Sequence, residues 1–398
     1  MIVVKFGGSS VANVTKIRRA ASLIAEKYLS AGENVVVVVS AMFGVTDTLN
    51  NYLLEMTSKK KVENDVVLSA GEQITTALLA IALNDLGYRA QSFLGWQIPI
   101  ITDENFCNAR IIDISTGNIL NCFDKNIVPI VAGFQGLTEK ARVTTLGRGG
   151  SDTTAVAIAT ALRASQCDIY TDVSGIYTAD PKKVILAQKI DKISFEEAFE
   201  LSFCGAKVLN SRSVEIAMKH NMKVKVLSTF NVGSGTDIVE GNMEELSITG
   251  IANKSNIVRF NIKMQKKRNE TIKIMSEIAK TKVPIEWLNC SEVEQSLSFF
   301  VDFSSATEIK DVCQILKENK RIINFTLDYD VALVSIIGIG IGSNNEAIYT
   351  ILNILERNDI EVFYFVVTPL SIRVLIKQQD VSIASASIHA EFGLDLSN

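Results

Sequence analysis

Three glycine-bearing segments combine backbone amides with charged side chains in ways that could hold a phosphate or a carboxylate. The first is Lys5-Phe6-Gly7-Gly8-Ser9-Ser10. Paired glycines let N–H groups approach an anion closely, and a helix starting behind them adds a favourable dipole. A lysine at the end of the preceding strand can neutralise charge on a transferred phosphoryl group. The pattern is neither G-x-x-x-x-G-K-[ST] nor G-x-G-x-x-G, which points away from P-loop and Rossmann machinery. The bland alternative is a strand-to-helix turn with an exposed lysine.

The second segment is Leu146-Gly147-Arg148-Gly149-Gly150-Ser151-Asp152-Thr153-Thr154. Asp152 or Thr153 could simply cap a helix, but capping requires neither an arginine nor three glycines. Arg148 offers a planar fork suited to a carboxylate, and Ser151 adds a hydroxyl. The third, Tyr170-Thr171-Asp172-Val173-Ser174-Gly175-Ile176-Tyr177-Thr178-Ala179-Asp180-Pro181-Lys182, reads as a strand entering a loop. Such a loop can wrap a nucleotide or form an ordinary surface turn. Glu72, in Ser69-Ala70-Gly71-Glu72 before a helix over 73–82, either compensates the helix dipole or anchors an ammonium group.

These segments need elements to position them. Ile2–Phe6, the all-valine run Val35–Val39, Ile127–Ala132 and Asp168–Thr171 read as strands, with Val224–Leu227 weaker. Unbroken β-branched runs suit strands buried on both faces, as in a parallel sheet covered by helices. Helices are predicted over Val14–Lys27 and Thr153–Ala164, so the first 230 or so residues alternate as an α/β sandwich. Ligand sites in such folds collect beyond the carboxyl ends of the strands.

Residues 231–246 are turn-rich and read as a linker. Beyond them Val258, Phe260, Ile262 and Met264 alternate with polar residues, a half-buried strand. A helix, two strands and a second helix follow, and Val331–Ile337 opens a similar round. Two tandem β-α-β-β-α units are therefore expected to pack together, with a strand near Leu246–Ile251 completing one of them.

The 398 residues fit two or three domains at roughly 150 residues each. Forty Lys and Arg against 44 Asp and Glu give a net charge of −4, without the basic excess usual for nucleic-acid binding. Six scattered cysteines and two isolated histidines give no disulfide framework and no zinc cluster. The longest apolar stretch, about 331–342, is too short to span a bilayer. A soluble, cytoplasmic protein without nucleic-acid or membrane partners is expected.

With Ser40-Ala41-Met42…Thr46-Asp47 and Gly71-Glu72 in place between them, the segments run in the order found in the bacterial aspartokinases, and the chain closely resembles that family. The likeness covers essentially the whole chain, more closely over 1–230 than over 247–398. It implies an amino-acid-kinase fold at 1–235, a linker at 236–246, and two ferredoxin-like βαββαβ ACT domains over 247–398. The first ACT domain would span about 256–329, the second 247–253 with 331–392. It further implies transfer of the ATP γ-phosphoryl group to the β-carboxylate of L-aspartate, the step leading toward diaminopimelate, lysine, threonine and methionine.

By position, the resemblance gives Lys5 and Asp152 catalytic roles, with Phe6, Gly7, Gly8 and Ser9 beside Lys5 at the phosphates. Arg148 is implied to grip the α-carboxylate of aspartate and Glu72 its α-ammonium, with Ser40, Thr46 and Ser151 adding hydrogen bonds. Thr171, Asp172, Tyr177, Lys182, Lys207 and Val208 are the implied ATP positions. Mg²⁺ is implied on ATP oxygens and water, without a protein ligand. Paired ACT domains imply a homodimer or larger homo-oligomer.

The second half departs from the family pattern. An Asp-x-Pro-Gly turn gives way to Met264-Gln265-Lys266-Lys267-Arg268-Asn269, and a Gly-Met…Pro-Gly-Val stretch to Gly340-Ile341-Gly342-Ser343-Asn344-Asn345-Glu346-Ala347. A Ser-Glu-Ile segment is replaced by Thr368-Pro369-Leu370-Ser371-Ile372. Feedback by lysine or threonine is accordingly expected to be weakened or altered. The rival amino-acid-kinase-fold enzymes, acetylglutamate and uridylate kinases, lack the tandem ACT tail. A silent amino-acid-binding regulator would not be expected to keep Lys5 and Asp152.

Overall fold

The computed structural model describes residues 1–56, 62–241, 248–266, 269–291 and 293–396. Its contacts divide the chain into two units, Met1–Thr178 with Gln188–Glu245, and Ala179–Ala187 with Leu246–Asn398.

The first unit opens with β1 (Ile2–Phe6), α1 (Val14–Ile24) and β2 (Val35–Val39). Next come α2 (Val45–Met56), α3 (Val62–Leu68), α4 (Ala70–Asp85) and β3 (Ala90–Phe93). Short elements follow: β4 (Ile100–Thr102), β5 (Ile111–Ile114), α5 (Gly117–Phe123), β6 (Val128–Ala132), β7 (Gln135–Leu137) and β8 (Val143–Thr145). Then come α6 (Gly150–Ala161), β9 (Gln166–Thr171), β10 (Lys192–Ser194) and α7 (Phe195–Phe203). The unit closes with α8 (Ser211–His220), β11 (Val224–Ser228) and β12 (Thr236–Val239).

Eight strands form one sheet in the order β10-β12-β11-β9-β1-β2-β6-β3. From β11 to β3 every pairing is parallel; β12 runs antiparallel to β11. All five valines of β2 are buried, which requires cover on both faces. On one face Val4 and Phe6 pack in a core with Ile17, Ala20 and Ile24 of α1 and Leu79 and Leu83 of α4. Lys5 points to the other face, where α6 lies against β1. β9 pairs in parallel with β1, and its Asp168 accepts from the hydroxyl of Tyr28, just beyond α1; that hydroxyl also lies 2.8 Å from the Tyr170 hydroxyl.

Two sequence expectations change here. The turn-rich stretch read as a linker contains β12; its glycines and polar residues make the return of a β11–β12 hairpin, closed by Gly235 at φ 72°. A Cβ on Gly235 would lie 2.2 Å from the Val226 carbonyl, so only glycine fits there. The remainder of the expected linker, and the start of the strand expected at Leu246, fall on residues 242–247, outside the described residues. Second, Ala179–Ala187 packs with the other unit rather than with the kinase-like one.

By length and composition Val62–Asp85, mean hydropathy 1.7, could cross a membrane, a longer apolar segment than the 331–342 stretch singled out from sequence. It breaks at Ser69 into α3 and α4 and buries Asp65, Glu72, Leu79 and Leu83 in the first unit, as a core helix pair does.

The second unit carries β13 (Ile248–Lys254), β14 (Ile257–Met264), α9 (Glu270–Ala279), β15 (Glu286–Ser291) and β16 (Ser296–Asp302). It continues with α10 (Ala306–Glu318), β17 (Ile322–Asp328), β18 (Val331–Gly338) and α11 (Asn345–Arg357). The last elements are β19 (Tyr364–Val367), β20 (Ser371–Lys377) and α12 (Val381–Glu391). Its two four-stranded sheets have matching orders, β15-β16-β14-β17 and β19-β20-β18-β13. β13, met first in the chain, thus takes in the second sheet the edge that β17 takes in the first. Each sheet buries one face under its own helix pair. The opposite faces share a cluster of Ile257, Phe300, Val331, Leu333 and Leu375, with Trp287 stacked 5.0 Å from Phe300. Two half-covered antiparallel sheets thereby bury what neither could bury alone.

Candidate active site

Parallel β1, β2, β6 and β9 end on the same edge of the large sheet, where open α/β sheets keep their ligand crevice. Lys5 is the penultimate residue of β1. Its Nζ lies 2.6 Å from Asp152 Oδ1, in the first turn of α6, and both residues are buried. The helix N-terminus favours the Asp152 carboxylate, and the carboxylate fixes where the ammonium sits.

The glycine pair is dictated by what touches it. The Gly7 amide donates to the Tyr170 carbonyl on β9 at 3.1 Å. A side chain on Gly7 would come within 3.3 Å of Lys5 Nζ, and one on Gly8 within 2.9 Å of the Ala41 carbonyl. The Ser40 amide donates to the Phe6 carbonyl at 3.1 Å, tying the end of β2 to the end of β1. Ser9 sits in a 3₁₀ turn, Gly8–Val11, and its carbonyl accepts from Lys16 Nζ at 3.0 Å.

Glu72 reaches the same place from α4. The sequence reading started that helix after Glu72; the structure starts it at Ala70, so Glu72 belongs to the first turn. Its Oε1 accepts from the Ala41 amide at 3.0 Å, while Oε2 is buried with no hydrogen bond from any described residue. Burial pushes its carboxyl up to about 7, against the Ala41 donor, which pulls it down. Gly71 allows the close approach: a Cβ there would lie 2.7 Å from that of Ala41 and 3.2 Å from Val45 Cγ1. Thr46 follows Val45 in the first turn of α2, where a loop had been expected. Ala41 is therefore the shared neighbour of Gly8, Gly71 and Glu72, through its carbonyl, Cβ and amide respectively.

Ser151 starts α6 beside Asp152, packed so closely on the end of β6 that a side chain on Gly133 would come within 2.7 Å of its Oγ. Arg148 is exposed between two left-handed glycines, Gly147 at φ 78° and Gly149 at φ 68°. Thr171 ends β9, and its hydroxyl donates to Asp172 Oδ1 at 3.1 Å. Tyr177 pairs with Lys189 in an isolated bridge. Lys207 and Val208 lie in the connection between α7 and α8. Lys182 is on the Ala179–Ala187 segment, in a local turn capped by Asp180, whose Oδ1 accepts from the Lys182 amide.

The structure thus gathers Lys5, Gly7, Gly8, Ser40, Glu72, Ser151 and Asp152 around the ends of β1 and β2, with Thr171 one residue beyond the carbonyl that holds Gly7. Sequence reasoning missed the Ala41 amide, Gly133, and the buried Asp65. Gly133, directly after the β6 run, carried a legible turn signal. Ala41 acts through its amide, and Asp65 through a carboxylate whose partners are distant in sequence, so residue type and spacing reveal neither.

The sequence pattern of the amino acid kinase family matches residues 1–228. The aspartokinase of Rickettsia felis is 39% identical over 387 residues, 96% of each chain. That of Geobacillus stearothermophilus is 38% identical over 99% of this chain and 97% of its own. In fold, the chain is similar to Escherichia coli aspartokinase III solved with aspartate and ADP in its R-state: TM-score 0.85, 24% identity, 98% of this chain and 99% of that one covered. Coverage of nearly the whole length at close to two residues in five identical, on a kinase-family core, places this chain in the amino acid kinase family and, within it, among the aspartokinases.

Proposed function

We propose that the site transfers the γ-phosphoryl group of ATP to the β-carboxylate of L-aspartate, giving 4-phospho-L-aspartate and ADP. The observation that carries this reading is the gathering, at the ends of β1 and β2, of a buried Lys5–Asp152 pair, a glycine pair and a buried Glu72 oxygen with no donor among the described residues.

A carboxylate nucleophile needs no general base, so catalysis rests on positioning and on positive charge at the transferring group. Lys5 supplies that charge, held in place by Asp152, with the Gly7–Gly8 backbone beside it. Glu72 Oε2 takes the α-ammonium and Arg148 the α-carboxylate, a pairing that selects a zwitterionic amino acid. Ser40, Thr46 and Ser151 add hydrogen bonds on the amino-acid side. Thr171, Asp172, Tyr177, Lys207 and Val208 serve the nucleotide. Mg²⁺ would be carried mainly by the phosphate oxygens of ATP and by water, as this ion commonly is. There it would offset phosphate charge. The first unit is the catalytic part and the second the regulatory and pairing part of a soluble, cytoplasmic homo-oligomer.

The test is ADP release measured with L-aspartate, with N-acetylglutamate and with no acceptor. Aspartate-dependent release supports the reading; release only with N-acetylglutamate, or none with any acceptor, sinks it.

The elevated Glu72 carboxyl gives the reaction an acid limb. Below about pH 7 the free enzyme holds Glu72 protonated, without the charge that an ammonium needs. The kcat/KM for aspartate is therefore expected to fall about tenfold for each pH unit below that value. Glu72→Gln should lower kcat/KM at pH 8 and flatten the limb; an unchanged profile in that variant would remove Glu72 from substrate binding.

The departures in the second unit carry a separate expectation, weak feedback. Lysine or threonine at about 1 mM, high on the scale of typical KM values, is expected to leave most activity intact in the same assay. Strong inhibition by either would refute it.

A further inference from the structure

The loop carrying Arg148 is tied down by groups that the proposed reaction does not use. Upstream, Thr145 donates twice to the fully buried Asp65, from its amide to Oδ2 at 2.9 Å and from its hydroxyl to Oδ1 at 2.8 Å. Downstream, the start of α8 approaches the loop. Arg212 donates to the Leu146 carbonyl at 2.6 Å and to the Ala109 carbonyl at 2.8 Å. Asn210 Nδ2 donates to the carbonyl of Arg148 itself at 2.8 Å, while its Oδ1 caps α8 by accepting from the Arg212 amide at 3.0 Å. The contact is tight: a Cβ on Gly149 would lie 2.5 Å from both Cβ and Nδ2 of Asn210.

We propose that Asn210 is a positioning residue for amino-acid binding, holding the Arg148 peptide so that its guanidinium is presented to the substrate carboxylate. This rests on the reading of Arg148 as the carboxylate ligand. Arg148 stands between Gly147 and Gly149, the residue type with the widest backbone freedom. A long side chain on so free a stretch of backbone presents its fork in many directions. Thr145 and Leu146 are anchored before Gly147 and α6 begins after Gly149; among the described residues, the side chain that bonds the Arg148 backbone is Asn210.

The two ends of Asn210 separate the roles. Asn210→Asp keeps the capping oxygen, and Asp caps a helix as well as Asn does. It replaces the Nδ2 donor with an oxygen that faces the Arg148 carbonyl. Asn210→Ser also caps but is too short to serve both partners. Both variants are expected to raise the KM for aspartate about tenfold, the scale of one lost hydrogen bond at a charged recognition site. The KM for ATP and kcat should stay within about twofold, and thermal unfolding of Asn210→Asp should match the parent. In an Arg148→Ala background, Asn210→Asp should add nothing to the KM for aspartate.

An unchanged KM for aspartate in both variants, with Arg148→Ala raising it, overturns the brace and leaves the carboxylate reading standing. A rise in the KM for ATP and a fall in melting temperature in parallel would make Asn210 merely structural, overturning the brace in the same way. An Arg148→Ala enzyme with the parent KM for aspartate overturns both readings.

Discussion

Lys5→Ala is expected to cut kcat about a thousandfold, within the range seen when the main positive group at a phosphoryl or oxyanion site is removed. Its ammonium is paired with Asp152 at 2.6 Å and lies against the Gly7–Gly8 backbone. The KM for aspartate should change far less, since neither Arg148 nor Glu72 is disturbed. Removing one partner of a buried pair also leaves an uncompensated charge, at a cost of about 3–5 kcal/mol. The variant must therefore be shown folded by circular dichroism, and Lys5→Arg serves as a charge-keeping control. A planar guanidinium cannot place its charge as the compact ammonium does, so Arg should restore folding without restoring kcat. Steady-state kinetics with Lys5→Ala at the parent kcat would remove Lys5 from the chemistry.

Arg148→Ala should raise the KM for aspartate about a hundredfold with kcat reduced much less. Truncating one member of a hydrogen-bonded charge pair in a binding site costs about 2–5 kcal/mol, and each 1.4 kcal/mol is tenfold in affinity. Arg148 is exposed, so the folded protein should not notice the change, and its melting curve provides the control. Arg148→Lys should recover only part of the loss, because an ammonium cannot make the two parallel bonds of the fork. Isothermal titration with aspartate in the presence of ADP gives an independent reading; equal affinity in Arg148→Ala and parent would exclude the assignment.

Much of this arrangement was legible before any coordinates, for identifiable reasons. β2 and β6 are continuous apolar runs, and β1 is broken by Lys5 alone, because both faces of these strands are covered, and that composition leaves few alternatives. The glycines at 7, 8, 147 and 149 were visible because close approach and left-handed backbone restrict residue choice so sharply. The sheet of β4, β5, β7 and β8 was not read, since three- and four-residue strands are too short to establish a period. β12 was mistaken for linker because a hairpin turn and an interdomain connection use the same residues. Asp65 and Asn210 stayed hidden for a different reason. Each serves a backbone group far away in sequence, Asp65 on Thr145 and Asn210 on Arg148, and such a role imposes no spacing on its neighbours. Glu72 was found, but its unusual acidity was not; that comes from burial, which one carboxylate in a sequence cannot reveal.

The detour of Ala179–Ala187 has a consequence for how such a chain can be divided. Ala179 and Val184 are buried with Ile251, Val334, Ile351 and Val374, so this short excursion is threaded into the hydrophobic interior of the second unit. The backbone therefore joins the two units three times, on either side of the excursion and again before β13. A single cleavage after residue 245 would release the first unit with an apolar plug whose socket had gone. Any attempt to exchange the second unit for that of a relative must move plug and socket together, as one cassette drawn from two places in the gene.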